Sequence, residues 1–513
     1  MPNKKLVKQT IDFTKGLTPY SGILVKDGGS PDCKNVELYR GELRRSVGLT
    51  ELTSTVVTDE LPLGLFEFYT SSGTNRLLLL TDTSNRQYNA GAWDSKGALG
   101  TPLTVNNNPD LYVSACVAND LFVKTDSVNN PQKYTGTGNF ADLDGIQAAY
   151  TSFLAEEVIN YYQYVVFGST TENGVAYPTR LRWSDTDAPE TWGSNNSGGL
   201  DIKDTPDRIL RMRMILDTIF VFKGSSIHQV SYVGYPNIFY PSPIQQQGGL
   251  LARKSLVDYY NSVIGLFLDG IYIFNGRTME DITKELYPLL FGVNSEMDMD
   301  AAANSVGVYV PDLNEYWIAI PLSGETVPTN IFRYNLKTGA WWRKDTGVPV
   351  YCAGSWEEDT VDTWATVGDG TTTWAEMTAI WDAKQLGAGQ KLHLFGTENS
   401  DDAKVLQMDA KVISDDGTIQ PSYYTTKDYS FAPSTRYGWI WIEAKGSGSL
   451  TLDYSIDGGS TWISRGTKTI QTSFKLLKFS LNFTAENVRF RFTLPEVELS
   501  IREVILWYRE RER

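Results

Sequence analysis

Short apolar stretches recur along most of the chain, each followed by a turn of Gly, Asn or Asp residues and a second stretch that reaches an aromatic residue. The first strands of these units are marked by Leu77, Leu121, Tyr164, Ile219, Ile271, Tyr316 and Leu392. Apart from a wider last interval, the spacing is close to the roughly 40 to 50 residues of four-stranded propeller blades. The pattern predicts an all-β fold with a six- or seven-bladed β-propeller. A large β-sandwich of unrelated hairpins is the alternative.

Apolar and polar residues alternate strictly in the C-terminal region. The alternation runs through Trp439–Ala444, Ser449–Ser455, Leu476–Leu481, Val488–Phe492 and Ile501–Tyr508. Strands with a period of two, about ten residues apart, predict an antiparallel β-sandwich of jelly-roll type. The predicted division of the chain is therefore an extended N-terminal segment (1–58), a propeller with insertions (59–410) and a C-terminal β-sandwich (411–513).

The N-terminal segment is rich in residues that form turns. Alternation through Val36, Leu38 and Leu43 predicts a hairpin that turns at Arg40 and Gly41. An extended segment of this kind often completes the sheet of a neighbouring subunit or the last blade of its own ring.

The composition is that of a packed β protein. Hydrophobic residues make up 41% of the chain and aromatic residues 12%. Abundant Tyr, Trp, Val and Thr favour strands over helices. Short helices are expected in only two places, Ile209–Met214 and Lys284–Phe291.

The charge balance excludes one class of function. Asp and Glu number 61 against 46 Lys and Arg, which gives a formal charge of −15. Such a surface repels polyanions, which argues against a sequence-reading DNA-binding protein. The three cysteines, Cys33, Cys116 and Cys352, are far apart and predict thiols made in a reducing cytoplasm, without a disulfide framework or a zinc site. Neither a signal peptide nor a membrane-spanning segment is expected.

Residues 455–462 read SIDGGSTW and match the S-x-D-x-G-x-T-W pattern of the Asp box, which occurs in sialidase propellers and in many carbohydrate-active β proteins. The carboxylate is expected to accept backbone N–H groups across a hairpin turn, the glycines to supply positive φ, and the tryptophan to pack beneath the loop. The predicted structural turn motif comprises Ser455, Asp457, Gly459, Thr461 and Trp462. We interpret it as a turn and not as an active site.

Candidate catalytic residues are scarce. The two histidines, His228 and His393, each lie in an alternating strand, which argues against a Ser-His-Asp triad or a His-rich metal site. Neither a sialidase constellation nor a nucleotide-binding motif can be assembled from the spacing. Carboxylates cluster at Asp185, Asp187 and Glu190, and at Asp298 and Asp300. They are interpreted as turn caps, with a calcium site as the alternative. The sequence thus predicts no catalytic, cofactor-binding or metal-binding residues and no enzymatic activity.

Two regions carry a resemblance to a known family. Near the N-terminus, Cys33–Val36 and Gly41–Gly48 resemble the theme "A-x-N-V … G-x-L-x-x-R-x-G" of tailed-bacteriophage virion proteins. In the middle of the chain, the resemblance is to "R-x-R-W-S-D … P-E-x-W" and "L-x-V-F-K … S-I". The matching residues are Arg180–Asp185, Pro189–Trp192, Ile219–Lys223, Ser226 and Ile227. The chain is thus similar to the propeller-bearing tail tubular, or nozzle, proteins of short-tailed phages and to the related tail-stabilisation proteins.

The resemblance covers most of residues 15–290 in pattern, whereas the extended terminal sandwich departs from the best-known members. It implies a structural virion protein that is made in the host bacterial cytoplasm. Family members form a ring, usually of six copies, in the tail tube below the portal and its adaptor, and tail fibres or spikes dock on it. Viral DNA would pass non-specifically through the lumen during ejection, because carboxylates along the lumen do not hold phosphates by ion pairing.

Two alternatives remain open. A glycan-binding or glycan-cleaving propeller would also explain the Asp box and the many tryptophans, with Trp183 and Trp364 as candidate sugar-stacking residues. A receptor-binding or fibre-anchoring component of the same tail is the other alternative.

Overall fold

The computed structural model describes residues 6–20, 24–103, 111–245, 248–293, 295–357, 391–399 and 402–510. Within them, seven sheets of consecutive antiparallel hairpins follow one another along the chain, and one larger sheet is built mainly from the C-terminal region. Six of the seven have four strands, and the other is widened to six. The structure confirms the predicted all-β propeller, and the sheet topology gives seven blades.

The blades are numbered here in chain order. Blade 1 has the strands Pro62–Tyr69, Asn75–Thr81, Ser84–Asn89 and Ala92–Ala98. Blade 2 has Ser114–Ala118, Leu121–Thr125, Gln132–Tyr134 and Ala141–Asp142. Blade 3 has Phe153–Tyr161, Tyr164–Glu172, Val175–Trp183 and Gly198–Asp201. Blade 4 has Ile209–Ile215, Thr218–Lys223, Ile227–Tyr232 and Phe239–Gln245.

The other three blades complete the ring. Blade 5 has Val257–Tyr259, Ser262–Phe267, Gly270–Phe274 and Met279–Asp281. Blade 6 has Val306–Val310, Glu315–Ile320, Asn330–Asn335 and Ala340–Asp345, followed by the short strands Gly16–Leu17 and Gly29–Ser30. Blade 7 has Cys352–Glu357, Lys391–Asn399, Asp402–Asp409 and, from the N-terminal segment, Gly48–Glu51. The first strand of each blade is innermost, and that of blade 7 packs against that of blade 1.

The larger sheet is antiparallel and folds over on itself. Its strands are Val7–Ile11, Cys33–Lys34, Val36–Tyr39, Glu42–Arg45, Tyr423–Thr425, Tyr429–Gly446, Ser449–Ser455, Ile463–Thr469, Lys475–Thr493 and Leu499–Glu510. The long strand Lys475–Thr493 pairs first with Tyr429–Gly446 and then with Ser449–Ser455, so it passes from one half of the sheet to the other. Leu450 and Leu452 alternate with polar neighbours and face the apolar core between the halves.

The N-terminal segment is divided among three sheets. Its predicted hairpin is confirmed: Val36–Tyr39 pairs with Glu42–Arg45, and the turn residues Arg40 and Gly41 have φ of 51° and 84°. Other parts of the segment widen blade 6, close blade 7 and pair with the C-terminal strands. The division into parts 1–58, 59–410 and 411–513 stays a prediction. The pairings of the N-terminal segment run across the first boundary of this division.

The propeller and the C-terminal sheet share one apolar core, which includes Ile264, Phe332 and Trp341 of the blades. A buried ion-pair network lies beside it. Arg333 of blade 6 donates to Glu315 at 2.8 Å and to Glu37 of the hairpin at 2.5 Å. These contacts join the hairpin firmly to the propeller.

Helices are few and short among the residues that the structure describes. The chain forms the α-helices Asp144–Ala149 and Tyr287–Leu290 and the 3₁₀ turns Arg253–Ser255 and Ala302–Asn304. Within the described ranges, no helix has the length and apolarity needed to span a bilayer. The predicted helix at Lys284–Phe291 is confirmed in part by Tyr287–Leu290. The predicted helix at Ile209–Met214 is wrong, because this stretch is the innermost strand of blade 4.

Candidate functional site

A cleft of about 350 Å³ lies between blades 3 and 4. Its walls come from the segment that follows the third strand of blade 3 and from the hairpin before the outer strand of blade 4. The lining includes Trp183, Asn195, Asn196, Tyr235 and Tyr240. Aromatic rings beside side-chain amides are the groups that bind neutral polar ligands or anchor partner proteins.

Aromatic residues continue from the cleft along the surface. Tyr235 and Tyr240 are 85% and 62% exposed, and Tyr162 and Tyr232 are about half exposed, with their ring centroids 5.1 Å apart. We call these four residues the tyrosine rim. Buried Phe239 packs beside Tyr232, with the two ring centroids 6.0 Å apart, and buried Tyr161 packs beside Tyr162 at 4.8 Å. Two rings of the rim therefore rest on buried rings, whereas Tyr235 and Tyr240 are its most exposed members.

The R-x-R-W stretch holds the outer strands of blade 3 together. Arg180 donates to Asp201 at 2.6 Å, and Arg182 donates to Glu172 at 2.6 Å. Burial alone would raise the pKa of Glu172, but hydrogen bonds and charge from Arg182 outweigh burial and hold this pKa below its ordinary value. Trp183 completes the stretch, since its Nε1–H donates to the carbonyl of Asn196 at 2.9 Å.

The carboxylates that follow this stretch act as turn caps. Asp185 accepts the amide of Asn195 at 3.0 Å and the backbone N–H of Asn196 at 3.2 Å, which fixes one wall of the cleft. Glu190 pairs with Lys133, and Asp298 accepts the backbone N–H of Asp300 at 3.1 Å. In the part of the chain that the structure describes, no group of three or more His, Cys, Asp or Glu is arranged to hold a metal ion.

A buried polar cluster lies inside blade 4, where the K…S-I residues meet His228. Lys223 Nζ donates to Thr205 Oγ1 at 2.7 Å, and Thr205 Oγ1 is 2.8 Å from Ser226 Oγ. Ser226 Oγ lies 3.0 Å from His228 Nε2, and His228 Nδ1 is 3.7 Å from a carboxylate oxygen of Asp204. The contacts run from serine to histidine to aspartate, as in a hydrolase triad.

Burial argues for a structural role of this cluster. Ser226 and His228 are fully buried, so a substrate does not reach the serine in this conformation. Burial, followed by the charge of Lys223, lowers the pKa of His228 and favours the neutral ring. Sequence reasoning missed the cluster because it treated His228 as an ordinary strand residue. The close spacing of Lys223, Ser226 and His228 in one hairpin is the signal that it overlooked.

His393 lies in the second strand of blade 7 and is also buried. Burial lowers its pKa to about 4, so the ring is neutral near pH 7. His393 lies neither in the cleft nor in the blade 4 cluster. Trp364, the second tryptophan proposed for sugar stacking, lies outside the described residues.

The Asp box forms the turn between Ser449–Ser455 and Ile463–Thr469 in the C-terminal sheet. Asp457 Oδ1 accepts the backbone N–H of Thr461 at 2.9 Å, and Gly459 donates to Ser455 Oγ at 2.9 Å. Hydrogen bonds from Ser455 and Thr461 lower the pKa of Asp457. The guanidinium of Arg491 lies 4.3 Å from the ring centre of Trp462. The hydrogen bonds of the motif are thus within one turn, and Trp462 also contacts the neighbouring strand.

Comparison with known proteins gives fold likenesses only. No family model matches the chain. No curated protein matches it. The Neurospora crassa Pan2 WD40 domain aligns over 71% of this chain and 96% of its own, at 10% identity and a TM-score of 0.37. The Phanerochaete chrysosporium exo-β-1,3-galactanase with galactose aligns over 80% and 97%, at 9% identity and a TM-score of 0.23. A family 29 carbohydrate binding module aligns over 24% and 81%, at 12% identity and a TM-score of 0.16. Likenesses at this level say nothing about what this chain binds.

Proposed function

We propose that this protein is a structural component of a bacteriophage tail that assembles into a ring, with six copies as the first arrangement to test. The observation that carries the proposal is the course of the N-terminal segment, which pairs with blade 6, blade 7 and the C-terminal sheet. Because one segment pairs with both, the propeller and the C-terminal sheet form a single rigid unit. A subunit in the wall of a tail needs this rigidity.

The two stretches that resemble the phage family support this proposal, because their residues form contacts that stabilise the fold. The N-terminal stretch forms the hairpin whose Glu37 pairs with Arg333. The middle stretch supplies the Arg180 and Arg182 ion pairs and the Trp183 contact that shape blade 3. Residues that fix a framework, without exposed reactive groups, fit a role in assembly that needs no catalysis.

The tyrosine rim is the surface that we propose for assembly. Permanent interfaces are rich in Tyr and Trp, and their cores are poor in charge. In the proposed tail ring, exposed surfaces bind other copies of the chain, the tail adaptor and the fibre or spike proteins. Localisation in the virion tail, after synthesis in the host cytoplasm, follows from the same proposal.

The charge of −15 fits passage of DNA better than retention of DNA. A wall that neutralises few phosphates releases few counterions, so binding of duplex DNA to it is weak. We place the channel between copies of the chain and not along the axis of a single propeller. Side chains from several blades meet at that axis: Arg253, which precedes blade 5, donates to Glu156 of blade 3 at 2.9 Å.

Imaging and sedimentation of the purified full-length protein test the proposal. We expect a closed ring with an open centre in electron micrographs and one oligomeric species in analytical ultracentrifugation. A protein that stays monomeric over a wide concentration range, without an axial opening in any image, would contradict the ring. Mass spectrometry of the purified virion, which should contain the chain in a fixed multiple of the portal copy number, tests the location independently.

Glycan binding at the cleft is the second candidate, and the cleft's lining favours it. Exposed Tyr235 and Tyr240 can stack on sugar faces while Asn195 and Asn196 lie beside them. Saturable binding on a glycan panel that is lost in Tyr235→Ala but kept in Tyr260→Ala, with a monomeric protein, would favour this function over the tail ring. Hydrolysis of a glycoside panel would extend it to catalysis.

A further inference from the structure

Cationic side chains converge at the axis of the propeller. Arg211 and Arg213 lie on the innermost strand of blade 4, and Arg253 and Lys254 precede the innermost strand of blade 5. The guanidinium carbons of Arg211 and Arg253 lie 4.8 Å and 5.4 Å from the ring centre of Tyr112, which comes just before blade 2. Three blades therefore contribute to one cluster, which we call the axial basic cluster.

Acidic partners satisfy only part of this charge. Arg253 binds Glu156 at 2.9 Å, and Arg211 lies 3.3 Å from fully buried Glu157. The nearby carboxylate of Asp258 is 3.5 Å from Arg213, but its side chain is 65% exposed. Arg208 also contacts Glu156, at 3.5 Å, so two arginines share this one carboxylate.

Several donors in the cluster lack an acceptor. The hydroxyl of Tyr112 and Nε of Arg211 are buried and form no hydrogen bond with any group in the described ranges. Nε of Arg213 forms none either, although the Asp258 carboxylate lies 3.5 Å from it. Tyr112 is only 5% exposed. Buried donors in folded proteins almost always have a partner, and an unpaired one is destabilising. Such donors, brought together from two different blades at the axis, point to an acceptor from outside the chain.

The protonation equilibria agree with an excess of positive charge. Burial lowers the pKa of Lys254 to about 8, with Arg253 contributing in the same direction. Burial raises the pKa of Glu157 to about 8 although Arg213 and Arg253 oppose the change, so near pH 7 this acid neutralises little of the cluster's charge. A bound anion would favour the charged forms of the cations.

We propose that the axial basic cluster binds a small oxyanion of the phosphate class. Its oxygens would accept from the Tyr112 hydroxyl and from the unpaired Nε–H of Arg211, with the Arg213 guanidinium as a further cation beside them. Guanidinium groups suit such oxygens because they present several donors in fixed geometry. The ligand must be small, because Tyr112 and Arg253 are each 5% exposed and the Arg213 side chain is 22% exposed. The site lies within one chain and does not depend on the proposed tail function.

Isothermal titration calorimetry of the full-length protein with inorganic phosphate tests this site, with sodium chloride of equal ionic strength as the reference. We expect saturable binding of one phosphate per chain. Tyr112→Phe keeps the ring under both arginines and removes only the hydroxyl, and Arg213→Gln removes one cation but leaves the Arg211–Glu157 contact. Because hydrogen bonds to charged groups contribute about 1.5–3 kcal/mol, each variant should weaken binding about tenfold or more.

Two variants serve as matched controls. Tyr260→Phe changes an 81% exposed tyrosine, and Arg277→Gln changes an exposed arginine outside the cluster. Both should bind phosphate as the wild type does. Absence of saturable phosphate binding in the wild type would overturn the proposal. Equal affinity in Tyr112→Phe, Arg213→Gln and the controls would also overturn it, because the phosphate would then be held elsewhere.

Discussion

Arg333 joins the N-terminal hairpin to blade 6 through one side chain. It is 1% exposed and pairs with Glu37 and Glu315, which are themselves buried. Arg333→Gln would leave Glu315 buried without its cation and Glu37 with Arg44 alone. Loss of one partner of a buried pair costs about 3–5 kcal/mol. We expect a decrease of this size in the free energy of unfolding from denaturant titration.

An exposed pair provides the comparison for Arg333. Arg502 binds Glu443 at 2.7 Å, but its side chain is 53% exposed. Since exposed ion pairs contribute about 0–1 kcal/mol, Arg502→Gln should change the free energy of unfolding little. Similar losses in the two variants would show that burial of the Arg333 network is not what stabilises this junction.

Glu157 gives the protein a pH dependence with a definite sign. Burial raises its pKa in the folded state from the ordinary 4.5 to about 8. The folded state therefore holds this proton more tightly than the unfolded chain does, and the contribution of Glu157 to stability is full below pH 4.5 and declines as the pH rises to about 8. The free energy of unfolding, measured from pH 5 to 9, should fall less steeply in Glu157→Gln than in the wild type. Parallel curves would refute the assignment.

Some individual residues were predictable and others were not. The hydrogen bonds of the Asp box lie within one turn, so its geometry follows from local spacing at Ser455, Asp457 and Thr461. In the blade 4 cluster, Thr205 lies in the connection before the first strand of the blade and contacts Ser226. Ser226 in turn contacts His228. Its burial and its contacts depend on the tertiary fold, which a strand pattern does not specify.

At the scale of elements, the strand Gly48–Glu51 closes the propeller by pairing with Asp402–Asp409. Gly48 has no room for a side chain: a Cβ there would contact the carbonyl of Ser414 and lie 2.8 Å from that of Val412. Backbone atoms do not yield as side chains do, so Gly48→Ala should lower the free energy of unfolding by about 1–3 kcal/mol. Gly438→Ala, where the nearest atom is at 3.5 Å, is the matched control in thermal unfolding. Equal effects of the two substitutions would argue against close packing at the ring closure.

The misassigned element, Ile209–Ile215, shows which elements resist prediction. Its Leu, Arg and Met residues favour helices in isolation, and a register shift between Ile209 and Arg211 breaks the strict alternation of a strand. Pairing with Thr218–Lys223 determines the strand instead. Blades with regular hairpins gave a clear period because their contacts are local. The division of the N-terminal segment among three sheets left no local pattern, because its partners lie up to several hundred residues away.

At the scale of the whole molecule, assembly depends on a surface that is not needed for folding. The tyrosine rim is exposed on one chain, and Tyr235 and Tyr240 lie at its most accessible part. The double substitution Tyr235→Arg and Tyr240→Arg should abolish the proposed ring, because it introduces two charges into an aromatic interface. The unfolding temperature should change little, since both side chains project into solvent.

The change is measured by sedimentation and by electron microscopy of the double variant. Tyr260→Arg alters another exposed tyrosine, on blade 5, and should leave the ring intact. Rings in the double variant would place the assembly surface elsewhere on the molecule. Loss of rings in both variants would attribute the effect to added positive charge. Only loss confined to the double variant identifies the tyrosine rim as the contact between copies.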